Sequence, residues 1–203
     1  DETALNGEYP LDDIIIGDAQ LVLLQLIDEV KSQAGEKGRS GDAGVAGEIR
    51  AVKEEWLAEW MPRLTSDEVP ISPYRVVREL DRGLDKANSI VTHDAGNPRD
   101  QIVPFYTATT PRGYLGWGNS TQLGTGLGLI MGAKLAKPDK FCVNFMGDAA
   151  FGMTGLDFET AVRSNIPICT VVLNNDDMAV EVPHMELSNN RFGSRALYGR
   201  YSD

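Results

Sequence analysis

Three short strand-like runs in the second half of the chain, the last two apolar, each end in a short polar turn, and that repeat constrains the fold more than any other feature. Residues 89–93 lead into Asp94-Ala95-Gly96-Asn97-Pro98, residues 140–146 into Gly147-Asp148, and residues 168–173 into Asn174-Asn175. Helix-like stretches separate them: a glycine-rich one over 122–136, closed by Pro138, and another over 157–164, before Pro167. Apolar strands alternating with helices at these lengths predict an α/β domain with a parallel sheet flanked by helices. Ligands of such sheets bind at the carboxyl ends of the strands. The chemistry is therefore expected in the loops 94–98, 147–152 and 174–179.

The first half reads differently. Residues 12–16, Asp-Asp-Ile-Ile-Ile, form a short strand candidate closed by Gly17. Asp18 is placed to cap a following helix, with Leu21, Leu24 and Ile27 as its apolar stripe. Glycine then recurs at positions 35, 38, 41, 44 and 47. That period is the collagen period, but the stretch has no proline and too few triplets for a triple helix, so it reads as a flexible linker. Ile49, Val52, Trp56 and Trp60 predict an amphipathic helix with a packed tryptophan face, stopped by Pro62. Ser72-Pro73 opens another, with Val76, Val77 and Leu80 facing inward.

Charge excludes one class of function. Thirty acidic side chains against nineteen basic ones leave a net charge of −11, which argues against nucleic acid as a partner. No segment approaches the ~20 apolar residues a membrane span needs, so no membrane partner is expected. Cys142 and Cys169 sit in apolar runs and read as reduced core residues, which suits a cytoplasmic setting.

Gly147-Asp148 and Asn174-Asn175 each follow an apolar strand, and Asp148 and Asn175 lie 27 residues apart. That is the size of one βαβ unit, whose outer strands are then candidates for neighbours. A carboxylate, an amide oxygen and a nearby backbone carbonyl would converge as hard oxygen ligands. Such a set suits magnesium, which completes its octahedron with water and phosphate oxygens. Other motifs are missing. The glycines at 124, 126, 128 and 132 fit no Gly-x-Gly-x-x-Gly, and neither a phosphate-binding Gly-x-x-x-x-Gly-Lys-Ser/Thr loop nor Gly-x-Ser-x-Gly occurs. His93 and His184 read as a structural and a surface-loop histidine. Glu181 is a weaker candidate for facing the site.

The segment from Gly147-Asp148-Ala149-Ala150-Phe151 to Asn174-Asn175 resembles the thiamine diphosphate signature, which opens with Gly-Asp-Gly and closes with Asn-Asn at a comparable spacing. Upstream, Ile71-Ser72-Pro73-Tyr74-Arg75-Val76, the strand before Asp94-Ala95-Gly96 and the stretch 116–133 are similar to the cofactor-binding domain of the acetohydroxyacid synthase and pyruvate oxidase group. Ile14-Ile15-Ile16-Gly17-Asp18-Ala19 resembles the end of that group's middle domain. Three positions depart from the pattern. Ala149 replaces a glycine, which requires a backbone that avoids positive φ there. Pro98 stands where some synthases carry a polar side chain, and Ala179 replaces a frequent glycine.

The resemblance implies roles residue by residue. Asp148 and Asn175 would bind magnesium through side-chain oxygens and Asp177 through its backbone carbonyl, the metal bridging the cofactor's phosphates. Backbone N–H groups near Gly147, Ala149 and Ala150 would face the diphosphate. Gly96 and Asn97 would approach its far end, and Met178 and Ala179 would line its side. Leu123 would be the bulky residue over which the cofactor bends into a V, its one catalytic contribution. The Thr121 carbonyl would hold the cofactor's amino group, bringing an amine beside the thiazolium C2–H.

The fold class expected from all this is a thiamine diphosphate-binding α/β domain preceded by the tail of another α/β domain. Residues 1–33 are assigned to the middle-domain tail, 34–48 to the linker and 49–203 to the cofactor domain, truncated at its C-terminal end. The function implied is decarboxylation or carboligation of 2-oxo acids, as in acetolactate synthase. The alternative within the family is an oxalyl-CoA decarboxylase or 2-hydroxyacyl-CoA lyase, to which Phe151-Gly152-Met153-Thr154-Gly155 and Glu159-Thr160 are similar. The alternative outside it is a non-catalytic diphosphate-binding or structural module. The partners implied are a small 2-oxo acid and a pyrimidine-binding domain from the same or a neighbouring subunit, within a homodimer or homotetramer.

Overall fold

The computed structural model describes residues 10–37, 41, 43–116, 118, 122–176 and 178. The chain divides into two units, Asp1–Trp56 and Leu57–Asp203. In the first, helix α1 spans Ala19–Ala34. Asp18 caps it as expected: its Oδ1 accepts the Gln20 and Leu21 N–H groups at 3.0 and 3.1 Å, satisfying donors that a helix start leaves open. Leu21, Leu24 and Ile27 are 61%, 51% and 49% exposed. The strand expected over 12–16 does not form. A β-strand needs a neighbour to complete its ladder, and an apolar run without one stays irregular.

Helix α2 runs over Ala43–Leu64, and the division between the units falls within it. This corrects two expectations. The linker predicted over 34–48 is helical from Ala43 onward, so Gly44 and Gly47 lie inside a helix. Each glycine there costs about 1 kcal/mol relative to alanine, which the rest of the long helix absorbs. Pro62 does not stop α2 but sits in its last turn. Only one backbone hydrogen bond is forfeited so near the end, and the Thr65 N–H still donates to the Met61 carbonyl at 3.0 Å.

The second unit carries helix α3 (Pro73–Gly83), strand β1 (Ser89–His93), α4 (Asn97–Ile102), β2 (Tyr114–Leu115), α5 (Thr125–Ala136), β3 (Phe141–Gly147), α6 (Asp148–Thr154), α7 (Asp157–Arg163) and β4 (Cys169–Leu173). The four strands form one sheet in the order β2-β1-β3-β4, with every adjacent pair parallel. The α/β class and the parallel sheet are as expected. Ser72 caps α3 without a side-chain hydrogen bond, so the fixed φ of Pro73 rather than the hydroxyl sets that helix start.

Strand alternation divides the core into two layers. On one face, Ile90, Cys142 and Met146 pack with Leu127 and Ile130 of α5 and Ala150 of α6. On the other, Val91, Val143 and Phe145 pack with Val77 of α3 and Ile102 of α4. Trp60 joins Tyr74 and Phe105 in an aromatic cluster with ring centroids 5.1 to 5.7 Å apart. The tryptophan expected on a packed face is therefore packed. Covered on both faces, β3 and β4 are largely apolar, whereas β1 also buries Ser89, Thr92 and His93.

Candidate functional site

The register of the sheet decides which side chains meet. Gly147 of β3 pairs with Leu173 of β4, so the two strands release Asp148 and Asn174-Asn175 side by side at the same edge. The neighbouring-strand geometry expected from the 27-residue spacing is realised. Asp148 then begins α6, and the Asn175 N–H approaches its Oδ1 at 3.5 Å. That contact is long for an N–H···O bond, so most of the acceptor capacity of Asp148 is uncommitted.

A cavity of about 750 Å³ opens at this edge. One wall comes from the β3–α6 junction, Gly147, Asp148, Ala149 and Ala150, and from Leu173, Asn174 and Asn175 after β4. The turn after β1 supplies Ala95, Gly96, Asn97 and Pro98, while Leu123 and Met178 close further sides. The structure thus gathers Gly96, Asn97, Leu123, Gly147, Asp148, Ala149, Ala150, Asn175 and Met178 around one space. Thr121, Asp177 and Ala179 lie outside the described residues, as do Glu181 and His184.

Local backbone explains several of these positions. Gly96 caps α4 at φ 80 and ψ −152, a conformation that a side chain would strain, so glycine lets the main chain border the cavity. Ala149 lies within α6 and is not among the positive-φ residues. The departure from glycine at that position is therefore accommodated. Pro98 is buried in the first turn of α4. The side chains of Asp148 and Asn175 and the nearby backbone carbonyls are hard oxygen donors. Among the described residues no group of three or more His, Cys, Asp or Glu converges as a metal site, so any ion held here needs oxygens beyond carboxylates.

His93 does not face this space as an open base. It is 5% exposed and stacks on Tyr114 at a centroid distance of 5.6 Å, with Tyr106 stacked beyond at 5.5 Å. Burial, and then the neighbouring Tyr106, pushes the Tyr114 hydroxyl up from its ordinary range, so it stays protonated at neutral pH. The structural reading of His93 fits this stack.

Sequence reasoning missed part of the cavity. Pro70, Ile71, Pro73 and Val76 form an apolar wall; the stretch 71–76 was matched to the family, but no residue of it was assigned to the site. The same reasoning placed the fully buried Asp94 in a site loop but gave it no role. Its position at the end of an apolar strand, where an unpaired charge is costly, was the one signal present.

Comparison with known proteins places the chain among enzymes of one family. The acetolactate synthase large subunit IlvG of Mycobacterium tuberculosis is 33% identical over 73% of this chain and 26% of its own length. A probable acetolactate synthase large subunit of Methanococcus aeolicus is 25% identical over 86% of this chain and 30% of its own. A 2-hydroxyacyl-CoA lyase of Arabidopsis thaliana is 30% identical over 79% of this chain and 28% of its own. The chain spans less than a third of the length of these relatives. Residues 94–197, which hold all three strand-end turns, match the thiamine pyrophosphate enzymes' C-terminal TPP binding domain, and the chain belongs to that family.

Proposed function

We propose that the chain is the diphosphate- and magnesium-binding part of a thiamine diphosphate-dependent enzyme that acts on 2-oxo acids, with acetolactate synthase-like carboligation as the reaction. The observation that carries this reading is the convergence of Asp148 and Asn175 from adjacent parallel strands at the mouth of one cavity. The donor set fits a hard cation: Asp148 keeps acceptor capacity and Asn175 is exposed beside it. Asp148 and Asn175, with the Asp177 carbonyl, would hold magnesium. Gly96, Asn97 and the backbone of Gly147, Ala149 and Ala150 would border the diphosphate, with Met178 and Ala179 along its side. Leu123 and the Thr121 carbonyl would orient the ring system.

Bound thiamine diphosphate supplies an electron sink for breaking and making bonds at a 2-oxo carbon. The chain's own contribution is binding and orientation. An acidic protein, at net charge −11, repels a diphosphate unless a cation is held between them. Ile71, Val76 and Leu123 give the same space an apolar wall. The remaining parts of the reading are a pyrimidine-binding domain from the same or a neighbouring subunit, a homodimer or homotetramer, and a middle-domain tail in the first residues. Two free cysteines support a cytoplasmic setting, and no helix among the described residues is long and apolar enough to cross a membrane. A 2-hydroxyacyl-CoA lyase activity is the second reading, favoured by the likeness to the Arabidopsis lyase.

Titration calorimetry tests the proposal. Thiamine diphosphate is expected to bind only with magnesium, and Asp148→Ala to weaken that binding by about 100-fold. Unchanged affinity in Asp148→Ala would overturn the metal assignment.

A further inference from the structure

We infer that Asp94 is a positioning residue of the cavity: its buried carboxylate clamps the start of α5 and so sets where Leu123 stands in the cavity wall. The inference rests on the reading that thiamine diphosphate occupies this cavity. Asp94 directly succeeds β1 and has no solvent exposure. Its Oδ1 accepts the Ala95 N–H at 2.8 Å and the Gly124 N–H at 2.9 Å, and its Oδ2 accepts the Gly126 N–H at 2.8 Å. Its own N–H donates to the Phe145 carbonyl at 2.7 Å, which locks the residue to β3.

Helix starts leave N–H groups without partners, and a side chain adjacent in sequence ordinarily takes them. Here α5 lacks a local side-chain cap, and Gly124, its capping residue, is left-handed at φ 90. The acceptor comes instead from a strand end thirty residues earlier. The negative carboxylate also suits the positive end of the helix dipole. Two oxygens of one carboxylate thus define both the position and the direction in which α5 begins.

The space around that clamp is tight. A Cβ at Gly126 would stand 2.6 Å from Asn144 Oδ1, 3.0 Å from Asp94 Oδ2 and 3.1 Å from the His93 carbonyl. Behind it, the Thr92 hydroxyl donates to Asn144 Oδ1 at 3.0 Å. Glycine at 126 therefore lets the helix backbone press against the strand ends. Leu123 precedes the clamped Gly124 directly, and it both lines the cavity and packs on the core cluster of α5. A shift at Gly124 must move Leu123, whereas Asp148 and Asn175 follow β3 and β4 rather than α5.

This division gives a test that a merely stabilising role would not satisfy. Calorimetry with the full chain and magnesium compares two probes: thiamine diphosphate, which reaches Leu123, and inorganic pyrophosphate, which occupies only the diphosphate end. Asp94→Asn turns one acceptor oxygen into a donor facing an N–H. It is expected to weaken thiamine diphosphate about tenfold while leaving pyrophosphate within about twofold. In a Leu123→Ala background the same substitution is expected to add less than about twofold, because coupled residues are not additive. Gly126→Ala keeps the carboxylate and moves the helix start, so it should show the same selective loss and serves if Asp94→Asn fails to fold. Equal loss of both probes, or full additivity with Leu123→Ala, would overturn the positioning role. Failure of the unsubstituted chain to bind either probe would instead overturn the cofactor reading itself.

Discussion

Asp94 and Asp148 occupy comparable places in the sheet. Each is the first residue after a parallel strand, and β1 and β3 are neighbours paired from Ser89↔Phe141 to His93↔Phe145. Yet one carboxylate is wholly buried and accepts three backbone N–H groups. The other lines the cavity and is approached by one N–H at 3.5 Å. The difference arises from the path the backbone takes on leaving each strand. After β1 the chain turns away through Gly96, and Asp94 points beneath α5. After β3 the chain goes directly into α6, and Asp148 is left at the mouth. A carboxylate whose lone pairs are consumed by its own fold serves architecture, and one whose lone pairs are left open is free to serve a ligand.

The largest effect expected from this contrast is on stability. Asp94→Ala removes the acceptor of three N–H donors, two of them on buried glycines, and hydrogen bonds to charged groups carry ~1.5–3 kcal/mol each. A loss of roughly 3 kcal/mol or more is expected in urea unfolding followed by circular dichroism. Asp148→Ala in the same assay is expected to stay within about 0.5 kcal/mol, as partly exposed sites without satisfied partners do. If the two variants lost similar stability, the distinction between an architectural and an available carboxylate would fail. The pairing is informative because Asp148→Ala is also the variant expected to lose magnesium-dependent binding. Binding would then fall where stability does not.

The sequence marked Asp148 as a candidate ligand but held no sign of the part that Asp94 plays. Strands β1, β3 and β4 were legible to within one residue, because each is a short stretch rich in apolar and β-branched residues bounded by turn formers. The adjacency of Asp148 and Asn175 was legible as well, each emerging from such a stretch at βαβ spacing. The anchoring of Asp94 was not. Its partners are backbone N–H groups on Gly124 and Gly126, and a main-chain donor leaves no residue-specific mark. The wall formed by Pro70, Ile71, Pro73 and Val76 escaped as well, since apolar residues that line a cavity have the same pattern as those that fill a core. Misreadings came where pattern lacked a partner. Ile14, Ile15 and Ile16 have strand composition but pair with no strand among the described residues, and Gly44 and Gly47 look like a linker but are carried inside α2.

A third aspartate extends the comparison to its weakest member. Asp85 lies before β1, at the opposite edge of the sheet from the cavity, and caps the short 3-10 turn Lys86–Asn88. The Asn88 side chain donates to its Oδ2 at 2.7 Å and the Ala87 N–H to its Oδ1 at 3.2 Å. The Asn88 side chain first, then the backbone N–H groups of Ala87 and Asn88 and the charge of Lys140, hold the carboxyl below its ordinary range. A folded-state value below the unfolded one of about 3.9 means that the charged form is favoured by folding. Its stabilising contribution is present above about pH 4 and is lost as pH falls through the folded value. Because the group is exposed, solvent screens the effect and it is small. Asp85→Asn keeps the shape and removes the charge, so thermal unfolding should show a slightly lower midpoint than the parent at pH 7 and a gap that closes toward pH 3. A gap that widened in acid would mean that charge at Asp85 opposes folding. In that case lone-pair use, rather than burial alone, would no longer order the three aspartates.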